Sequence, residues 1–174
     1  FNAKAVNFGL VYGASWWTLK AQAKKDYGVD FTDDEAMKFR DAYFRRYVGL
    51  VGYHNSTEEM VKSRGQVVSP FGRMRHLEAE INSSDVGVRS HAVRQAINSP
   101  IQGSASDILL CVMGGIFRKL RGSVRQVGTV HDQILLEVPE GRVEEVLVQL
   151  NGVVKEVQEF VEWFTVPLVM DWKV

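Results

Sequence analysis

Apolar positions along this chain recur mostly at helical spacing, interrupted by two short stretches of strand character. Lys4, Phe8 and Tyr12 stand four apart on one drifting face of an opening helix, which breaks near Gly13. Ser15 can cap a second helix that runs to Tyr27 and stops at Gly28. Thr32 with Glu35 three residues on is a capping box, and Met37, Tyr43, Phe44 and Tyr47 supply the apolar positions of the helix that follows. Another helix is predicted over 50–64, ending at Arg64–Gly65. The run QVVSPFGRMRHL then reads as a hairpin turning at Pro70–Gly72.

Asn82, Ser83 and Ser84 offer caps for a helix to about Asn98. Ser99–Pro100 predicts a break before the next helix, which runs to Leu120 and ends at Arg121–Gly122, because proline lacks an amide donor and disfavours helical backbone before it. Residues 123–130 and 133–138 read as an antiparallel hairpin with His131–Asp132 at its turn. A last helix over about 141–160 leads to a predicted strand from Val166 to Lys173. No internal repeat, low-complexity tract or long linker interrupts the chain. The pattern predicts a mixed α/β (α+β), mostly helical fold with a small antiparallel sheet.

The 174 residues suffice for one core or two small lobes. Hydrophobic residues at 45% and charged residues at 24% are ordinary for a globular protein. No uninterrupted apolar run approaches the length of a membrane span, so none is expected. The amino terminus lacks the basic start, apolar stretch and cleavage site of a signal peptide, and it lacks an initiating Met. The single Cys111 sits in ILLCVM and reads as a buried thiol in a reducing interior.

Basic and acidic residues balance at 21 each, so no global field recruits nucleic acid. Lys62, Arg64, Arg73 and Arg75 nevertheless fall in a stretch without an acidic side chain, which permits a basic wall; an ordinary solvated surface shows the same counts. The opening face carries an ammonium, a flat ring and a phenol, which suit the phosphates, sugar and base of a nucleotide. An amphipathic core helix with a snorkelling lysine has the same spacing. Asp132 at a tight hairpin can ligate a divalent cation without moving, although simple turn chemistry explains an aspartate there as well. His131 by itself can be a general base, a metal ligand or a satisfied structural group.

Three segments in order carry a family resemblance: FNAKAVNFGLVYG at 1–13, QAINSPIQGSASD at 95–107 and TVHDQILLEVP at 129–139. Together they resemble the carboxy-terminal part of a family A, DNA polymerase I type enzyme, from residue 1 to about 170. The resemblance implies part of the fingers at 1–81 and the later palm at 82–174 of a right-hand polymerase. It further implies Lys4 on the triphosphate, Phe8 against the incoming sugar and Tyr12 stacked near the templating base. His131 and Gln102 would meet minor-groove acceptors of the primer-terminal pair, with Arg94 and Asn98 near the template and Arg75 a further DNA contact. Asp132 would ligate one or both ions of a two-Mg²⁺ site. Gln133 stands where the family commonly has Glu, and an amide stabilises a cation less than a carboxylate does.

The expected activity is template-directed addition of dNTPs to a primer 3′ end on primer-template DNA. No Asp-x-Ser-x-x-Glu motif for the second metal carboxylate occurs here, and the family's arginine four before the lysine would fall one position upstream of Phe1. The chain is therefore expected to be a piece that needs the upstream palm, fingers and thumb segments, on the same polypeptide or a separate chain, and to be inactive alone. A bacterial cytoplasm, or that of a phage's host, is the implied location. Two rivals from other classes are a non-catalytic DNA-binding or scaffolding subunit and a hydrolase using His131 and Asp132; the latter has no suitably placed nucleophile or closed metal set.

Overall fold

A computed structural model describes residue 7 and residues 9–173. The chain divides into two compact units, 1–103 and 104–174.

In the first unit, helix α1 (Trp16–Tyr27) starts where the Ser15 hydroxyl accepts from the Thr18 amide at 3.3 Å, and Gly28 closes it at φ 66°. Helix α2 (Asp33–Arg46) carries the full capping box. Thr32 Oγ1 accepts from the Glu35 amide at 3.2 Å, and Glu35 Oε2 accepts from the Thr32 amide at 2.8 Å. Helix α3 (Val48–Arg64) begins two residues before the expected 50 and ends at Gly65, φ 64°. A side chain at Gly65 would also collide with Glu78, whose Cβ lies 2.8 Å from the position a Cβ would take. Strands β1 (Gln66–Val68) and β2 (Met74–His76) form the predicted hairpin, pairing Val67 with Arg75. A short helix α4 (Glu78–Ile81), absent from the sequence pattern, follows. Val61, Val67, Leu77, Ile81, Ala92 and Ala96 form this unit's buried cluster; Leu10 and Leu19, with Tyr43 and Phe44 against them, form a second.

Helix α5 (Val86–Leu120) departs from expectation at its start and in its middle. Its cap is Asp85, not Asn82, Ser83 or Ser84: the carboxylate accepts from the amides of Gly87 and Val88 at 2.6 and 3.2 Å. Ser83 is occupied accepting from the Asp85 amide, and Asn82 donates back to the Glu78 carbonyl. The predicted break at Ser99–Pro100 does not occur, and Pro100 sits inside one 35-residue helix. Proline removes the amide that would bond the Ala96 carbonyl. Carbonyls on either side of Ala96 accept side-chain donors: the Ser99 hydroxyl donates to the Gln95 carbonyl at 2.6 Å, and the Tyr53 phenol donates to the Ile97 carbonyl at 2.6 Å. By length and mean hydropathy, 1.3 over its most apolar window, α5 is long and apolar enough to cross a membrane, contrary to the expectation from unbroken apolar runs. Its apolar residues instead include core positions in both units: Ala92, Ala96 and Ile97, then Ile108, Val112, Ile116 and Leu120.

In the second unit, strands β3 (Arg125–Val130) and β4 (Gln133–Glu137) pair antiparallel as predicted, with an irregularity between Gln126 and Gly128. Gln126 ties this hairpin to α5 by donating to the Met113 carbonyl at 2.9 Å. After a 3₁₀ turn (Glu140–Arg142), helix α6 (Val143–Phe160) buries Val146, Leu150, Val153, Val154 and Val157, a stripe at helical spacing. It approaches α5 at Gly115, where an added Cβ would lie 2.6 Å from Val153 Cγ1. The predicted strand from Val166 to Lys173 is irregular instead. Side chains of α6 take up its polar groups: Gln158 accepts from the Leu168 amide, and Asn151 accepts from the Trp172 indole at 3.0 Å. β propensity forms a strand only beside a partner edge, and no strand among the described residues pairs with this segment.

Gly115→Ala is expected to lower stability by about 1–3 kcal/mol through overpacking. Combined with Val153→Ala, it should cost clearly less than the two single losses summed, as chemical denaturation would measure. The Glu35 carboxyl is held below its ordinary value of 4.5, first by the Thr32 amide and then by the Thr32 hydroxyl. Its contribution is present above that ordinary value and is lost as pH falls through the lowered one. Glu35→Gln should therefore make the acid limb of the stability profile shallower.

Candidate functional site

The end of the opening helix is built by bonds from three segments. Within it, the Gly9 and Leu10 carbonyls accept from the amides of Ala14 and Gly13 at 2.8 and 3.1 Å. Gly13 adopts φ 80°, which favours glycine, and a Cβ there would press within 3.2 Å of Ile97 Cδ1, which would have to give way. Tyr12, half-buried, accepts at its hydroxyl from Gln102 Nε2 of α5 at 2.7 Å. From α3, His54 Nε2 donates to the Val11 carbonyl at 2.7 Å. Burial, more than the nearby Tyr12, pushes the Tyr53 phenol above its ordinary value against an opposing Thr57 hydrogen bond, so Tyr53 stays protonated as a donor.

Because α5 continues through Pro100, Arg94, Asn98 and Gln102 keep four-residue spacing and share one face. Arg94 and Gln102 are exposed. Asn98 is half-buried, and its Oδ1 has no hydrogen-bond partner among the described residues. An acceptor withdrawn from water without a donor costs about 1–3 kcal/mol, which a donor on a bound ligand would recover. Arg75 lies exposed at the centre of β2.

The second unit holds the other candidates. Val130 pairs with Gln133, leaving His131 and Asp132 as the two residues of the turn, both exposed. His131 has φ 55°, the only positive φ of a non-glycine residue among those described. Left-handed backbone costs an L residue about 1–2 kcal/mol, and such strain collects at functional positions. A groove of about 740 Å³ beside the turn is lined by Asp132, Gln133, Leu135, Leu150, Met170 and Asp171, among others. No group of three or more His, Cys, Asp or Glu capable of holding a metal occurs among the described residues. Asp132, exposed at a two-residue turn, fits one carboxylate ligand of a hard cation and does not make a complete site.

The predicted residues therefore divide, with Tyr12, Arg75, Arg94, Asn98 and Gln102 in the first unit and His131 and Asp132 in the second. Lys4 and Phe8 lie outside the described residues. A hydrogen bond joins Tyr12 to Gln102 across 90 positions. Tyr53 and His54 went unnoticed in the sequence; their one signal is an aromatic-rich run from Tyr43 onward, which reads equally well as core.

Residues 1–174 match the family profile of DNA polymerase family A. DNA polymerase I of Streptococcus pneumoniae (strain ATCC BAA-334 / TIGR4) is 38% identical over 173 residues, 98% of this chain and 18% of that protein. DNA polymerase I of Geobacillus stearothermophilus is 37% identical over 177 residues, again 98% of this chain and 18% of that protein. Among solved structures, the POL domain of Pol1 from M. smegmatis in complex with DNA primer-template and dNTP superposes with a TM-score of 0.77 at 33% identity, covering 91% of this chain and 26% of that one. The chain belongs to DNA polymerase family A, and it spans about a fifth of the length of the curated relatives it matches.

His131→Gly should relieve the left-handed strain and raise stability by up to about 1 kcal/mol, offset in part by glycine's greater unfolded-state freedom. An unchanged or lower unfolding midpoint would show that the histidine side chain stabilises the turn by more than the strain costs.

Proposed function

We propose that this chain supplies fingers residues 1–81 and later palm residues 82–174 to template-directed DNA synthesis, passing nucleotidyl units from dNTPs to a primer 3′ end. The observation that carries the reading is the hairpin of a family A chain holding Asp132 exposed beside a strained His131. The related POL domain with its DNA primer-template and dNTP supports the same choice of partners. The functional division need not follow compactness, since α5 runs unbroken through both units.

In this reading Asp132 and Lys4 are the catalytic residues of the chain. Asp132 would hold Mg²⁺, which when bound supplies positive charge to the attacking and leaving oxygens. Lys4 would bind the triphosphate and balance charge as pyrophosphate departs. Phe8 and Tyr12 shape the nucleotide pocket, and the bond from Gln102 fixes the Tyr12 hydroxyl. Gln102 and His131 would bond the minor-groove acceptors that every base pair presents, testing pair geometry while ignoring sequence. Arg75, Arg94 and Asn98 would contact primer-template DNA, the unpartnered Asn98 oxygen accepting a donor there.

One carboxylate does not make a two-ion site, so the reading requires a second from a further polymerase segment, on the same polypeptide or a separate one. The 174 residues alone are expected to be inactive. In the completed enzyme, Asp132→Asn should lower primer extension by about a thousandfold or more and leave primer-template affinity within about threefold. Retained extension would sink the assignment. Salt-dependent duplex binding with no Mg²⁺-dependent incorporation by the completed wild-type protein would instead identify a DNA-binding or scaffolding subunit.

A further inference from the structure

The last carbonyls of a helix have no donors within it, and those of the opening helix are satisfied in two ways. Gly9 and Leu10 are bonded by the amides of the following turn, at 2.8 and 3.1 Å. The next carbonyl, Val11, is bonded by His54, 43 residues away on α3, at 2.7 Å. A carbonyl accepts only, so the imidazole carries its proton on Nε2. Its ring is braced edge-on by Phe44, with centroids 5.7 Å apart at 76°, and Phe44 packs against the buried Leu10 and Leu19. The neighbouring Tyr53 points about 100° around α3 and donates to the Ile97 carbonyl of α5 at 2.6 Å. Ile97 is also the residue that a side chain at Gly13 would press against. Two consecutive residues of α3 thus grip the two segments that meet at this turn.

We propose that His54 is a positioning residue for the nucleotide pocket: by capping the Val11 carbonyl it fixes the end of the opening helix and, through it, Tyr12. The functional half of this inference rests on the polymerase reading, whereas the capping contact does not. A half-buried carbonyl that loses its donor is destabilised enough to change a local equilibrium about tenfold. Phenylalanine at 54 keeps the ring against Phe44 and removes the donor. Glutamine restores an amide donor of similar reach without the ring.

The test uses His54→Phe and His54→Gln in the full polymerase chain containing these residues, with amide hydrogen exchange at Gly13 and Ala14 beside steady-state incorporation kinetics. His54→Phe is expected to accelerate exchange at both amides about tenfold and to raise KM for the dNTP about tenfold, with kcat changed less than about twofold. His54→Gln should return both quantities to within about threefold of wild type. Exchange unchanged in His54→Phe, or no recovery in His54→Gln, overturns the cap. Accelerated exchange with an unmoved KM overturns the positioning role. If the wild-type protein incorporates no nucleotide, the polymerase reading and the positioning role fall together, and exchange alone still decides the cap.

Discussion

A proline inside a helix removes one backbone donor and favours a break, and the passage of α5 through Pro100 sets which residues of the first unit share a face. Pro100 withdraws one amide from α5, and the Ser99 hydroxyl and Tyr53 phenol donate to carbonyls on either side. The helix stays continuous, so Arg94, Asn98 and Gln102 remain on one face and Gln102 reaches Tyr12. A break at Pro100 would have turned these residues out of register. Burial pushes the Tyr53 phenol above its ordinary value, which keeps it protonated as the donor to the Ile97 carbonyl.

Tyr53 and His54 extend the same logic to the neighbouring turn. Helix ends are where backbone groups lack partners, and side chains satisfy them here: Ser15, Thr32 and Asp85 at starts, His54 at the end of the opening helix. The first three act within three residues and are local devices. The fourth joins positions 43 apart and therefore fixes how two helices meet.

The second unit carries its one positive-φ side chain among the described residues beside the carboxylate proposed to hold a cation. Its two-residue turn forces His131 to φ 55°, and the paired strands on both sides hold it there. Asp132 stands exposed at that turn and belongs to no group of three or more metal-ligating side chains among the described residues. Such a carboxylate suits a shared cation site better than a self-sufficient one. The groove beside it is walled by β4, α6 and the irregular tail, and the sheet has two strands among the described residues.

Local chemistry was legible in the sequence: the capping box at Thr32 and Glu35, the glycine stops at 28 and 65, and both hairpins were readable because each rests on residues a few positions apart. The three ordered motifs likewise gave the family before any fold was in view. Tertiary structure decided what depends on distant partners. Pro100 lies inside a helix that also accepts a donor from Tyr53 on another element, and 166–173 is irregular where no described strand pairs with it and Gln158 and Asn151 satisfy its polar groups. Spacing along a chain records propensity, but a proline's break or a strand's pairing depends on which donors and edges the fold brings alongside.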